Sequence, residues 1–172
     1  EYKANYDYRT DVFPAQELDN GTYFIMHGGQ YLTNQSEGVD GTAPCFVDKR
    51  DDVKPQRQEW HISIDPATGR YKIVNAQDDR YLNEKGEFTV SNSTNPYEPA
   101  WHTYYILRLA NGRYCIQNAG SAGNNFWTVG SSRVMKGQST TMEPDNFVFD
   151  LVPVSGEAPE APIPTVRDVY YI

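Results

Sequence analysis

The chain has 172 residues, 38% of them apolar, which is the length and composition of one ordinary folded domain. Its 23 acidic and 15 basic residues leave a net charge of −8. This balance counts against nucleic acid or an anionic membrane as partner, because both bind basic surfaces. Apolar runs of only a few residues also exclude membrane insertion through a transmembrane helix.

The first twenty residues precede any regular pattern but are rich in aromatic side chains, namely Tyr2, Tyr6, Tyr8 and Phe13. A solvated tail rarely needs so many rings, so residues 1–20 are predicted to pack on the surface of the domain. The chain starts at Glu1 without an initiator Met, which indicates either a removed leader or a cut chain.

Short runs rich in Tyr, Ile, Val, Phe and Thr follow, separated by Gly, Asn, Asp and Pro, and they predict many short β-strands. The pattern G-x-Y-x-I occurs three times, at 21–25, 69–73 and 112–116. A second strand signal follows each occurrence. Each unit then closes on an aromatic and an apolar residue two positions apart: Trp60 with Ile62, Tyr104 with Ile106, and Phe147 with Phe149.

These three units have about four strands each and no helical period, so none can bury its own face and the three must share one core. A propeller needs at least four blades, whereas a closed barrel capped by hairpins suits three units. The sequence therefore predicts an all-β fold with threefold pseudosymmetry, with repeats at about 21–64, 65–106 and 107–152.

The end of the first unit carries a more specific signal. Gln58, Trp60 and Ile62, followed by a turn at 65–69 and the next G-x-Y-x-I, resemble the Q-x-W repeat of ricin-type β-trefoil lectins. The resemblance covers residues 21–152, and its motif is degenerate at 102–104 and 145–147. It implies a β-trefoil of three four-strand repeats with N- and C-terminal extensions. The positions expected in its core are Trp60, Tyr71, Ile73, Tyr114, Ile116 and Phe147.

The same resemblance implies where a sugar would bind. In this family each pocket takes an acid after the second strand, an aromatic ring from the third strand, and polar side chains just before the Q-x-W tryptophan. The matching positions of the first unit are Asn34 or Gln35, Phe46 as the stacking ring with Asp48 nearby, and Arg57 and Gln58. Those of the second unit are Asn83 and Glu84. The first unit has no acid after its second strand, which departs from a ricin-like galactose site.

No pattern of catalytic residues stands out. His27, His61 and His102 form no H-x-x-x-H or H-E-x-x-H motif, and G-x-S-x-G, P-loop and dinucleotide-binding motifs are absent. Cys45 and Cys115 lack metal or redox spacing, and free, buried thiols are favoured over a bridge. The acidic stretches at 48–52 and 78–79 are interpreted as solvated turns. We expect no catalytic residues, no cofactor and no metal.

The C-terminal part differs in composition. Four prolines fall within residues 153–164, which is typical of a semi-rigid linker, and a strand signal follows at 169–172. Residues 153–172 are therefore predicted to be a Pro-rich linker with a terminal strand. That strand either pairs with the N-terminal segment or opens a further domain of the same protein.

The leading hypothesis is a non-catalytic carbohydrate-binding module of a secreted or cell-surface protein, with a glycan or polysaccharide as its partner. The extracellular location rests on the resemblance and on the polar, Tyr- and Asn-rich composition. One alternative is a protein-binding trefoil such as a protease inhibitor, presenting loop 36–44 or 91–100, although neither loop contains Lys or Arg. Another is a structural spacer domain without a ligand.

Overall fold

The computed structural model describes residues 18–36, 38–39, 41–83, 85–89, 102–109, 112–120, 126–136 and 146–156. Within these residues the strands are β1 Gly21–His27, β2 Gln30–Thr33, β3 Cys45–Val47, β4 Trp60–Asp65, β5 Arg70–Asn75, β6 Tyr81–Leu82, β7 Phe88–Thr89, β8 Thr103–Arg108, β9 Tyr114–Asn118, β10 Trp127–Gly130, β11 Arg133–Lys136 and β12 Asp150–Pro153. The 3₁₀ turn Pro55–Gln58 precedes β4. The all-β prediction is confirmed.

The strands form where apolar and polar residues alternate, because successive side chains of a strand point to opposite faces. In β4, Trp60 and Ile62 are buried while His61 and Ser63 are exposed. His61 therefore points outward, opposite Trp60. Pairing with β5 runs over the whole length of β4, and Gly69, at φ +71°, closes the turn between the two strands.

All strands are hydrogen-bonded into one antiparallel system. The longer strands pair in the order β1–β4–β5–β8–β9. β12 pairs back onto β1, and Tyr114 of β9 bridges to Phe149, directly before β12. The path of pairing thus returns to β1. The short strands form three hairpins, β2–β3, β6–β7 and β10–β11, beside this path.

The cross-strand register places one aromatic residue opposite the tyrosine of each G-x-Y-x-I segment. Tyr23 faces Trp60, and Tyr71 faces Tyr104. The partner of Tyr114, however, is Phe149, through paired N–H···O bonds of 2.9 and 2.8 Å. Phe149 thus takes the position that Trp60 has in the first unit. The closing pair predicted for the third unit, Phe147 with Phe149, therefore starts two residues too early in the sequence. A shift of two keeps the same side chains facing inward, so the sequence pattern cannot detect it.

The residues expected in the core are all buried, including Trp60, Ile73 and Ile116 without any exposed surface. The main cluster gathers the repeated aromatic and aliphatic positions of β1, β4, β5, β8 and β9. Phe147 lies in a smaller second cluster instead, packed near Phe126 at 6.2 Å between ring centroids. The polar end of the buried Trp60 ring is satisfied, because its Nε1 donates to the Leu32 carbonyl at 3.1 Å.

Two sequence-based expectations need a further comment. Both cysteines are free, but only Cys115 is buried; Cys45 is half-buried at the start of β3. The terminal segments predicted at 1–20 and 153–172 lie mostly outside the described residues. Leu18 is buried, and its N–H donates to the hydroxyl of Tyr71 at 2.8 Å, so the last residues of the N-terminal segment do contact the core.

Candidate functional site

Gln58, the glutamine of the Q-x-W motif, is completely buried and organises the segment between β3 and β4. Its Oε1 accepts hydrogen bonds from the Asp51 N–H at 2.8 Å and from Arg50 Nη1 at 3.5 Å. Its Nε2 donates to the Lys49 carbonyl at 2.8 Å and to Thr33 Oγ1 at 3.2 Å. All its hydrogen-bonding capacity faces the protein, so Gln58 holds residues 49–51 in place and offers nothing to a sugar.

Asn34 is also completely buried and belongs to a polar network between the first and second units. Its amide nitrogen donates to Asn75 Oδ1 and to Asp78 Oδ2, both at 3.0 Å. Its side-chain oxygen accepts from the Ser36 N–H at 3.0 Å. Asn34 is therefore a structural residue of the core edge.

Arg80 forms the centre of this network, with a side chain only 5% exposed. Its Nε and Nη2 lie 2.8 and 2.7 Å from Asp78 Oδ2. It donates as well to the carbonyls of Ser36, at 2.9 Å, and of Val39. Its guanidinium lies 4.2 Å from the ring centroid of Phe88, so this cation is packed on all sides.

The prediction that residues 78–79 form a solvated acidic turn is wrong for Asp78, whose side chain is only 15% exposed. Burial acts to raise the pKa of Asp78. Hydrogen bonds from the Arg80 side chain, the Gly38 N–H and the Asn34 amide outweigh burial, so the pKa falls below its usual value of 3.8. The carboxylate is thus held in its charged form.

The same network fastens the loop at 36–44, one of the two segments considered for a protruding inhibitor loop. Besides the bonds from Arg80, the Gly41 N–H donates to the Phe88 carbonyl at 2.9 Å and the Phe88 N–H to the Thr42 carbonyl at 2.7 Å. These contacts hold much of the loop against the second unit. The other segment, 91–100, lies outside the described residues.

Phe46, expected to stack on a sugar, is 4% exposed. Its ring lies 5.9 Å from the imidazole of His27 and 6.4 Å from Phe149, between centroids, and it belongs to the main core cluster. Stacking on a sugar requires an open ring face, which Phe46 lacks. The alternation of β3 explains this placement, because Phe46 is the middle residue of the strand and faces inward.

The remaining predicted site residues do not form one pocket. Gln35 and Asp48 are exposed and Arg57 is half-buried. The Arg57 carbonyl accepts from the Asn34 N–H at 2.9 Å. Asn83 caps its own turn, accepting from the N–H groups of Lys85 and Glu87. Glu84 lies outside the described residues.

A different group of side chains lies at the end of the first hairpin. We call it the Tyr31 surface, and it consists of Phe24, Gln30, Tyr31, Asp48 and Arg50. The rings of Phe24 and Tyr31 meet edge to face on the outer face, 5.5 Å between centroids. Arg50 lies 4.1 Å from the Phe24 centroid and 5.7 Å from that of Tyr31. Gln30 precedes Tyr31 on β2, so its side chain leaves the strand on the other face, where its Nε2 donates to Asp48 Oδ1 at 2.8 Å.

The Tyr31 surface combines a half-buried tyrosine ring with an amide, a carboxylate and a guanidinium. Asp48 is its only member among the predicted site residues. One signal in the sequence points to a second member: Phe24 stands at an x position of G-x-Y-x-I and so must face away from the core. Arg50 is placed there by its bond to Gln58, a contact that no strand pattern encodes.

The described residues also enclose a cleft of about 590 Å³ beside the start of β1. We call it the Asp19 cleft. It is lined by Asp19, Asn20, Gly21, Thr22, Tyr23, Glu59, His61, Pro153, Val154 and Ser155. On its wall, His61 Nδ1 and Thr22 Oγ1 share a hydrogen bond of 2.8 Å. No residue belongs to both this cleft and the Tyr31 surface.

The described part of the chain contains no group of three or more His, Cys, Asp or Glu side chains close enough together to hold a metal ion. Nor does any helix in it have the length and apolar character needed to cross a membrane.

No protein-family model and no curated protein matches the chain, whereas solved structures do. A mosquitocidal holotoxin superposes with a TM-score of 0.64 at 15% identity over 80% of this chain, which spans only 18% of that toxin. The BEL β-trefoil superposes with a TM-score of 0.61 at 11% identity, and the match covers 83% of this chain and 99% of the BEL chain. A Polyporus squamosus lectin, bound to a human-type influenza-binding epitope, gives 0.56 at 16% identity, covering 79% of this chain and 50% of that one. At such identities the likeness shows the fold alone: the chain is an all-β protein of β-trefoil type.

Proposed function

We propose that this chain is a non-catalytic carbohydrate-binding module, and that the Tyr31 surface is its glycan site. The observation that carries the proposal is the edge-to-face pair of half-buried rings Phe24 and Tyr31, on a hairpin whose end also carries the hydrogen-bonded pair Gln30 and Asp48. An aromatic face packs on the C–H side of a sugar ring, and planar amides and carboxylates hydrogen-bond its hydroxyls. A lectin among the similar folds adds support at the level of fold.

The residues of the site have distinct roles in this proposal. Tyr31 provides the stacking ring, the Asp48 carboxylate accepts hydrogen bonds from sugar hydroxyls, and the Gln30 amide donates to them and accepts from them. Arg50 packs on the ring of Phe24 and forms one edge of the site. Gln58 and Phe46 act as positioning residues, because one holds the segment with Arg50 and the other fills the core beneath β2 and β3. Gln35, exposed just after β2, lies on the same unit and extends the polar rim.

We further propose that residues 21–152 form three related repeats at about 21–64, 65–106 and 107–152, descended from the Q-x-W type. Two observations support this: the same tyrosine-to-aromatic pairing recurs in each unit, and Trp60 and Tyr104 donate to the equivalent carbonyls of Leu32 and Leu82. In this proposal residues 1–20 and 153–172 are extensions that connect the module to the rest of an extracellular protein.

The test is a glycan-array screen of the whole chain and of three variants. Tyr31→Ala removes the ring, Tyr31→Phe keeps the ring without its hydroxyl, and Asp48→Asn removes one carboxylate. Tyr105→Ala is the matched control, because Tyr105 is a half-buried tyrosine on β8, away from the site. We expect binding that is abolished in Tyr31→Ala, largely kept in Tyr31→Phe and weakened in Asp48→Asn.

Two results would contradict the proposal. The first is a wild-type chain that binds nothing across a broad array. The second is binding that Tyr31→Ala and Tyr105→Ala reduce equally, because the loss would then reflect general stability and not the site. Phe46→Ala is unsuitable as a test, since removing a buried ring costs about 3–5 kcal/mol of stability and affects binding through folding.

A further inference from the structure

The Asp19 cleft has the size of a ligand site and is not used by the proposed glycan surface. Its volume of about 590 Å³ lies within the range of small-molecule pockets. Its polar lining consists of two carboxylates, an imidazole, three hydroxyls and an amide, while Pro153 and Val154 add an apolar side. No other described residue fills it.

The charge of the lining selects the kind of ligand. Among the described residues, Asp19 and Glu59 line the cleft and no Lys or Arg does. Neither carboxylate is paired with a cation among the described residues. An anionic ligand would therefore be repelled, while a protonated amine would gain a charge-assisted hydrogen bond, about twice as strong as a neutral one.

A metal ion is a poor candidate for the occupant of the cleft. Within the part of the chain the structure describes, the cleft residues do not form a cluster that could hold one.

We infer that the Asp19 cleft is a second binding site, for an oligosaccharide with free amino groups, such as one built of glucosamine units. Asp19 and Glu59 would bind the ammonium groups. Thr22, Asn20 and Ser155 carry the hydroxyl and amide groups that sugar hydroxyls need, and His61, fixed through Thr22, lies against the same ligand. The inference is independent of the Tyr31 surface, since the two sites share no residue.

The test is isothermal titration of the whole chain at about pH 6 with a trimer of glucosamine and with the matching trimer of N-acetylglucosamine. The two ligands have the same length, but acetylation removes the amine charge. We expect the free-amine trimer to bind at least about tenfold more tightly, because hydrogen bonds to charged groups are the strong ones. We also expect its affinity to fall as sodium chloride is raised.

The variant Asp19→Asn with Glu59→Gln removes both charges but keeps the backbone contacts of these residues, such as the Tyr23 hydroxyl bonded to the Asp19 carbonyl at 2.5 Å. Its affinity for the free-amine trimer should fall at least about tenfold. The matched control is Asp52→Asn with Asp79→Asn, two exposed acids outside the cleft, which gives the same change in net charge. This control should bind as the wild type does.

Nuclear magnetic resonance locates the ligand independently. The chain has only three histidines, so the ring signals of His61 can be followed during titration. They should shift, while those of His27, whose Nδ1 lies 3.0 Å from the Val148 carbonyl, should not. Failure of the free-amine trimer to bind, equal binding by both double variants, or binding of a lysine-rich peptide in its place would overturn the inference. None of these results bears on the Tyr31 surface.

Discussion

Arg80 provides the sharpest test of the structure, because one side chain joins the first two units. Replacing it by Met keeps much of its volume and removes its charge. Asp78 then loses two contacts of 2.7–2.8 Å, and the carbonyls of Ser36 and Val39 lose their donors. Breaking a buried ion pair on one side costs about 3–5 kcal/mol, because the other charge remains buried without an opposite charge.

The assay is urea unfolding followed by tryptophan fluorescence, since Trp60 stacks at 6.0 Å on Phe88, the ring that Arg80 covers. A loss of about 3–5 kcal/mol in the free energy of unfolding corresponds to a fall in Tm of roughly 6–20 °C for a chain of this size. Arg113→Met is the matched control: its ion pair with Asp150 spans 3.5 Å between side chains that are 37% and 41% exposed. Such a pair contributes about 1 kcal/mol or less.

Arg80→Lys should be intermediate, because it keeps the charge but not the planar fork that reaches both carbonyls and Asp78. The reasoning would be refuted if Arg80→Met and Arg113→Met destabilised the chain equally, by about 1 kcal/mol or less. That result would mean that the network between the units is not formed in solution.

Three further predictions concern stability and reactivity. Gly86→Ala should destabilise the chain by roughly 1–3 kcal/mol, because Gly86 has φ +75° and a new Cβ would lie 2.8 Å from Val134; Gly29→Ala, at φ +79° with open space around it, should cost less in the same urea titration. The pKa of Asp78 is lower in the folded chain than in the unfolded chain. The stability that Asp78 contributes is therefore present at a pH above the pKa of the unfolded chain, and it is lost as the pH falls through the pKa of the folded chain. Unfolding measured from pH 5 down to pH 2 should therefore show a steeper loss for the wild type than for Asp78→Asn, and parallel curves would contradict this. Burial raises the pKa of the Cys115 thiol, so iodoacetamide should leave Cys115 unmodified in the native chain and alkylate it only in urea, as mass spectrometry would detect.

The fold was predictable because its signals are local and repeated. The alternation in β1 and β4 and the spacing of Tyr23, Tyr71 and Tyr114 follow directly from a period of two and a shared core. The one error of register, at Phe147 and Phe149, arose where a shift of two residues changes neither face. Only the partner strand fixes such a register.

The site was less predictable because its residues depend on distant partners. Asn34 lies after a strand, where polar residues usually meet water, but its amide reaches Asn75 and Asp78 more than forty positions away. Arg80 is buried because it also has distant partners, the carbonyls of Ser36 and Val39. The alternation of β1 was enough to predict that Phe24 lies on the outer face of the first hairpin. The position of Arg50 could not be predicted in this way, because it depends on the buried Gln58.

The central claim, that the Tyr31 surface binds a glycan, is tested most directly by mapping amide chemical-shift changes of the isotope-labelled chain during titration with the strongest binder from the array. The account predicts that the largest changes fall on residues 24, 30, 31, 48 and 50, and that they disappear in Tyr31→Ala. Changes that centre on any other part of the chain, or that persist in this variant, would contradict it.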